Sequence, residues 1–367
     1  MVGSRVPRVA GFVLTVGVEE EFLLIDDAGR LSLRGPDVVH AAKEPEVAVQ
    51  LELGRCQVES ATGVCESAGE LLGQLRELRG RLAKEAGRSG LRVMASGTPV
   101  FAQETPPEIT PTTRYRRMAE QFRAIARTGT ACGCHVHVAV PDREAGVVVS
   151  NHVRPWLPAL LGLTANSAFC DGQDTRYSSW RHILWSRWPS AGPPPVFVSL
   201  DHYETIVDGM LRAGAMLDRG MLYWDIRLSE RQPTLETRVA DVAVTAEAAA
   251  LLGIVVRGLV GTALDELDRP PLSLSQEVLR ANLWRVARDG AGGSCLHPVT
   301  GRLVPVHAQL TELVDRIRPA LRATGDVDFV LEALAKLRET GDGAQRQRAA
   351  FAKRKLLGDV VDSLILR

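Results

Sequence analysis

The sequence predicts a single α+β domain spanning residues 1–367, an antiparallel sheet with helices against one face. Three observations carry this reading. Strand-length pieces alternate apolar with charged residues, which suits a sheet covered on one side only. Longer stretches repeat apolar residues at helical spacing and crowd the C-terminal third. No repeat, low-complexity tract or Gly/Ser linker marks a boundary between domains.

Residues 66–90 read as an amphipathic helix: Ala68, Leu71, Leu72, Leu75, Leu78, Leu82 and Ala86 recur at helical spacing, and Gly90 is a natural stop. Residues 243–268 and 275–289 read as two more. Three helices are expected from about 306 to 366, on Leu310/Leu313/Val314/Ile317, Val330/Leu331/Leu334/Leu337 and Leu356/Val360/Leu364, with Pro319 and Gly341 as punctuation. The expected strands are 13–25, 47–53, 57–60, 92–96, 134–140, 223–229 and 235–239. Residues 170–200, rich in Pro, Trp and Arg, read as a long ordered loop.

Composition narrows the function. Lys+Arg and Asp+Glu are both 44, so the basic excess of a nucleic-acid binder is missing. Only five of the basic residues are Lys, so a phosphate would be held by Arg, backbone or metal. The most apolar stretch, 242–264, is interrupted by Glu247 and Arg257 and reads as a buried helix, not a membrane span. The N-terminus lacks the apolar run and cleavage pattern of a signal peptide. The six cysteines are sparse and irregular, which fits reduced thiols in a cytoplasmic protein.

The charged sides of the strands carry the chemistry. In Gly17-Val18-Glu19-Glu20-Glu21-Phe22, strand alternation puts Glu19 and Glu21 on one face and Glu20 on the other with Val18 and Phe22. Two such carboxylates repel unless a cation lies between them. Glu52 and Glu59 each sit among strand-forming residues. In Cys134-His135-Val136-His137-Val138 both imidazoles share a face, as a metal pair or as half-buried hydrogen-bonded histidines. Cys132 and Cys134 read as packing residues. Glu236 and Arg238 share a face of a later strand. Glutamates with a histidine suit Mg²⁺ or Mn²⁺ better than structural zinc, because hard cations prefer oxygen ligands. Such ions with nearby arginines would suit phosphoryl transfer. The P-loop, Rossmann and kinase motifs and Gly-x-Ser-x-Gly do not occur.

Seven stretches, in order, resemble the glutamate–cysteine ligase type 2 family, in particular its carboxylate–amine ligase branch: TVGVEEEFLLID (15–26), QVESATGVCES (57–67), ACGCHVHVAV (131–140), RPWLPALLGLTANSAFCDGQDTRYSSWR (154–181), WSRWPSAGPPP (185–195), WDIRLSERQPTLETRVAD (224–241) and GDGAQRQR (341–348). The resemblance implies a glutamine-synthetase-like catalytic fold, a curved antiparallel sheet forming a funnel backed by helices. It implies an ATP-dependent ligase joining a small-molecule carboxylate to an amine through an acyl phosphate. Carried over by motif, Glu19, Glu21, Glu52, Glu59, His135 and Glu236 would hold Mg²⁺ or Mn²⁺. Arg238 would face the transferring phosphate, Arg181 would be catalytic and bind the substrate carboxylate, and Arg227 would bind substrate. A metal-dependent hydrolase without ATP and a non-catalytic ligand-binding relative are the rival readings. No nucleic-acid or membrane partner is expected, and a homo-oligomer stays open.

Two departures stand out. The family's Gly-Thr-His-Pro-Phe is here Gly97-Thr98-Pro99-Val100-Phe101, and its Ser-Ala-Asn-Ser-Pro-Phe-Trp is here Thr164 to Cys170. Both are expected to shape the organic substrate pocket, which leaves the acid and the amine open.

Overall fold

The computed structural model describes residues 12–42, 48–103, 105, 108–127, 130–272 and 274–366. Its centre is a seven-stranded sheet formed by β1 (Val16–Ile25), β2 (Ala48–Leu51), β3 (Gln57–Ala61), β4 (Arg92–Met94), β5 (Gly133–Ala139), β8 (Ile226–Leu228) and β9 (Thr234–Asp241). The strands run in the order β2-β3-β1-β5-β9-β8, with β4 beside the end of β1, and every pairing is antiparallel. A small hairpin, β6 (Phe169–Cys170) with β7 (Gln173–Asp174), stands apart.

Alternation along β1 divides the sheet into two faces. Val16 and Val18 pack backward against the helix Ala246–Leu264. Gly253 of that helix lets it close on the strand: a Cβ there would come within 2.8 Å of Leu71 and 3.2 Å of Val18. This helix is long and apolar enough to cross a bilayer, yet it is buried in the protein core, as its position against the sheet requires. The helix Ala68–Arg88 packs beside it, opened by Ser67, whose hydroxyl accepts from the Glu70 N–H, and followed by Gly90 at φ +67°.

The remaining expectations hold with adjustments. Helices form at Gln276–Asp289, Val306–Thr324 and Val327–Thr340, the last ended by Gly341 at φ +77°. Pro319 does not punctuate: the helix runs through it and stops at Gly325, whose φ of +76° only glycine adopts freely. The expected last helix is Leu357–Asp362, and an unexpected one, Gly343–Arg354, precedes it, separated from it by Lys355 in the left-handed region. Residues 170–200 hold a short helix, Trp180–Trp185, not a continuous loop. Arg143–Val153, Leu157–Thr164 and Leu200–Arg212 are helical beyond what the spacing revealed. Val47, expected in β2, lies outside the described residues.

Candidate active site

The forward face of the sheet gathers the charged residues. β1 presents Glu19 and Glu21. Glu59 of β3 stands across from Glu21, and His135 of β5 stands across from Glu19. His137 pairs across to Glu236 of β9, which in turn faces Arg227 of β8. Glu52 follows the end of β2, its carboxylate accepting from the Leu53 N–H at 2.9 Å. Between Cys134 and Val136 the β5–β9 register shifts, so that Arg238 and Val239 together oppose His135. Glu19, Glu21, Glu52, Glu59, His135, Arg227 and Arg238 line a chamber of about 180 Å³, while His137 and Glu236 line an adjoining outer cavity. The chamber shares Glu19, Glu52, Arg114, Tyr115 and Arg227 with this outer cavity of about 780 Å³.

Two groups of three ligands form within this wall, Glu21–Glu52–Glu59 and Glu19–His137–Glu236. In each, one ligand atom from every residue lies within 4.8 Å of the others. The groups differ electrically. In the first, burial raises the pKa values of Glu21, Glu52 and Glu59, and the neighbouring carboxylates add to the push on Glu52 and Glu59. The Glu21 shift persists although Arg181 and the Gly133 N–H, 2.6 Å from its Oε2, pull the other way. In the second, burial is overcome. His135 and His137 hold Glu19 well below the carboxylate range, and Arg238 and Arg227 do the same for Glu236.

The histidines divide the work in a way the sequence did not show. His135 lies between the groups, its Nδ1 3.5 Å from Glu19 and its Nε2 3.9 Å from Glu21. Burial and the Arg238 charge lower its pKa to about 4, so the ring is neutral. His137, not His135, completes the second group. Thr234 Oγ1 holds its Nδ1 at 2.9 Å, which turns Nε2 toward Glu19 at 3.4 Å and Glu236 at 3.9 Å. Both Nε2 atoms are buried without a hydrogen-bond partner. Unpartnered imidazole nitrogens facing crowded carboxylates are a donor set that fits hard divalent cations.

The arginines also depart from expectation. Arg227 and Arg238 both pair with Glu236, Arg227 at 2.7 Å. Arg181, expected on the substrate carboxylate, is only 2% exposed and lies behind the chamber wall. Its guanidinium rests against Gly133, reaches the Arg238 carbonyl at 3.4 Å and stacks 5.6 Å from the Trp185 ring centre. Arg181 and Glu21 stand close because residue 133 has no Cβ. The two sequence departures also miss the chamber: Val100, Ala168 and Phe169 belong to an apolar cluster away from it. Cys132 and Cys134 are buried, as packing residues would be.

Sequence reasoning missed the opposite wall. Trp185, Trp188, Tyr223 and Met118 line it, with Arg114 and Tyr115 nearby. The Trp-x-x-Trp spacing of 185–188 was visible, but nothing in it showed which surface it would cover.

Comparison with known proteins decides the family. The profile described as Glutamate-cysteine ligase family 2 (GCS2) matches residues 15–363. The chain belongs to the glutamate–cysteine ligase type 2 family. A relative from Rhodococcus jostii is 52% identical over 357 residues, covering 97% of this chain and 96% of its own. One from Nocardia farcinica is 50% identical over 341 residues, covering 92% and 88%. Both carry provisional names as glutamate–cysteine ligase 2-1. Among solved structures, the glutamate–cysteine ligase of Francisella tularensis in complex with AMP superposes with a TM-score of 0.70 at 14% identity, over 96% of this chain and 87% of that one. The family fold, a curved antiparallel sheet backed by helices as in glutamine synthetase, is therefore the fold of this chain.

Proposed function

We propose that the chain is an ATP-dependent carboxylate–amine ligase that works through an acyl phosphate with divalent metal ions, Mg²⁺ or Mn²⁺, in the two ligand groups. The observation that carries this reading is the pairing of the ligand groups Glu21–Glu52–Glu59 and Glu19–His137–Glu236 along one strand, at the chamber and at the outer cavity that adjoins it. The ions would supply charge neutralisation for the phosphate oxygens.

A carboxylate oxygen of the acid attacks the γ-phosphorus of ATP. The bond to the β–γ bridging oxygen breaks and ADP leaves. The amine nitrogen then attacks the acyl carbon, the carbon–oxygen bond to phosphate breaks, and the amine gives up a proton. Arg227 and Arg238 stand beside Glu236 at the chamber edge. A cation held at Glu236 would leave Arg227 and Arg238 available to the transferred phosphoryl oxygens, where they would stabilise the charge that builds. Arg181, enclosed behind the chamber wall, places a positive charge near Glu21 and does not touch the acid.

The test is ADP release from Mg-ATP across a panel of acids crossed with amines, with products identified by mass. ADP that appears only when both an acid and an amine are present, with an amide of the summed mass less water, supports the ligase. Hydrolysis of an amide without ATP would replace it with a hydrolase.

A further inference from the structure

The stretch GDGAQRQR at 341–348 takes no part in the chamber, and most of its polar side chains have partners elsewhere. Asp342 and Gln345 form the capping box that opens the helix Gly343–Arg354. Gln347 donates to the Asn166 carbonyl at 2.9 Å and accepts from the Ala168 N–H at 3.1 Å. Arg348 pairs with Asp174 at 2.9 Å. Arg346 differs. Its side chain is half-buried, and its guanidinium has no ion-pair or hydrogen-bond partner among the described residues.

Arg346 lines a cavity of about 540 Å³, within the range that holds small organic ligands. The cavity lies behind the sheet, where the start of the helix Ala246–Leu264, the end of Val327–Thr340 and the start of Gly343–Arg354 meet. Val244, on its wall, accepts a hydrogen bond at 3.1 Å from Arg79, whose guanidinium holds Glu20 on the back of β1. No described residue lines both this cavity and the chamber.

The wall is mostly carbon, from Leu163, Val244, Ala248, Leu251, Ala333 and Leu337. Its other polar groups are satisfied within the protein. Thr164 and Thr340 donate their hydroxyls to the Leu160 and Lys336 carbonyls at 3.1 and 2.9 Å, and Thr245 caps its own helix. Asn166 donates to the Ala95 and Val242 carbonyls, both at 2.9 Å, and accepts from Gln347 at 2.8 Å. Glu247 is held by Arg76 at 2.7 Å, and Lys336 pairs with Glu339 at 3.1 Å. Arg346 is therefore the uncompensated charge of an otherwise satisfied, carbon-rich cavity. A guanidinium takes a carboxylate through two parallel hydrogen bonds, and the apolar wall favours a carbon chain behind it. Phosphate would bring more negative charge than one arginine offsets and no carbon for the wall.

We infer that this cavity is a binding site for an aliphatic monocarboxylate, with the carboxylate on Arg346 and the chain along Leu251, Ala333 and Leu337. The site is separate from the chamber and does not depend on the ligase reading.

The experiment is a saturation-transfer NMR titration of the full-length protein with sodium hexanoate, with hexan-1-ol as the uncharged counterpart and inorganic phosphate as competitor. Hexanoate is expected to bind at least about 10-fold more tightly than hexanol, because charge-assisted hydrogen bonds are the stronger kind. Arg346→Gln removes the charge where no partner is lost, so folding is retained. It is expected to weaken hexanoate by about 10-fold or more and to leave hexanol unchanged. Phosphate is expected not to displace hexanoate. Equal affinity for hexanoate and hexanol, binding of neither, or displacement by phosphate overturns the assignment. So does an unchanged hexanoate affinity in folded Arg346→Gln, which would put the carboxylate elsewhere, the chamber included.

Discussion

Glu20 and Arg79 form a buried bidentate ion pair on the back of the strand whose front carries Glu19 and Glu21. The guanidinium reaches the two carboxylate oxygens at 2.5 and 2.9 Å and also donates to the Ala243 and Val244 carbonyls at 2.7 and 3.1 Å. Three consecutive glutamates therefore serve two different purposes. Glu20→Gln leaves Arg79 with an uncompensated charge in the core, so unfolding free energy should drop by about 3 kcal/mol while the folded fraction keeps its turnover. Glu19→Gln and Glu21→Gln should do the reverse. Turnover should fall by roughly 10²-fold or more, as when a key electrostatic group is removed. Denaturant unfolding and ADP release per folded protein, measured on all three variants, check this together. Loss of turnover in Glu20→Gln with near-normal Glu21→Gln would mean that β1 runs in the other register.

Gly133 is a second point where the strand and the site meet. Its N–H holds Glu21 at 2.6 Å, and a Cβ there would press 2.8 Å from Arg181 Cζ and 3.0 Å from His135 Nε2. Gly133→Ala should therefore displace both side chains, with a cost of about 1–3 kcal/mol as in other overpacked cores. Turnover should fall more than stability alone explains. Thermal melting beside ADP release checks it, and an alanine variant with unaltered activity would show that Arg181 need not sit there.

Much of this was legible in the sequence because strand alternation is a strict rule. It placed Glu19 and Glu21 forward and Glu20 back, and it put His135 and His137 on one face. It could not rank the two histidines. That depends on the Thr234 hydroxyl, nearly 100 residues away, which turns His137 toward Glu19 and Glu236. The bulge opposite His135 was also invisible, because it is a property of the β5–β9 pairing and not of either strand. Arg181 misled for a related reason. The motif around it is local, but its depth is set by a glycine on β5, far away in sequence.

If His137 is a ligand, its removal should have a metal signature. Mn²⁺ titration followed by paramagnetic resonance should show two sites per chain. His137→Ala should weaken one of them by at least the roughly 10-fold that loss of an outer-shell partner costs, and leave the other near its original affinity. Thr234→Val should have a smaller effect in the same direction, because it frees the ring without removing it. Equal weakening of both sites, or of neither, would count against the division into two groups.

The thiols should be silent. All six cysteines are buried and unpaired. Burial pushes Cys56, Cys170 and Cys295 up to about 12 and Cys65 up to about 11, and it pushes Cys132 and Cys134 well above the ordinary thiol value. The reactive thiolate is therefore scarce at pH 8. Ellman's reagent should find no fast-reacting thiol in native protein and six after denaturation. Cys134→Ser should retain most turnover. A fast native thiol, or a folded serine variant without activity, would reopen a chemical role for the Cys132–Cys134 segment.

Asp225 should set part of the pH dependence of stability. It is 3% exposed, and its Oδ2 has no hydrogen-bond partner. Burial raises its pKa to about 7, against the pull of Arg181, Arg280 and Arg238. An unfolded aspartate titrates near 3.9. Between these values the folded state holds a proton that the unfolded state has lost, so the native form binds more protons. Stability from this group is then fully present at low pH and is lost as pH rises through about 7. Asp225→Asn mimics the protonated form and removes the dependence. Relative to the unaltered protein, the variant should gain on the order of 4 kcal/mol at pH 8.5, because the displacement is about 3 units at about 1.4 kcal/mol each, and only about 1.5 kcal/mol at pH 5. Guanidinium unfolding of both proteins at the two pH values isolates the effect, since other titrating groups cancel in the difference. A variant less stable than the parent at pH 8.5 would mean that the three arginines hold Asp225 ionised, and that the carboxylate is one of the counter-charges keeping Arg181 in place behind the chamber.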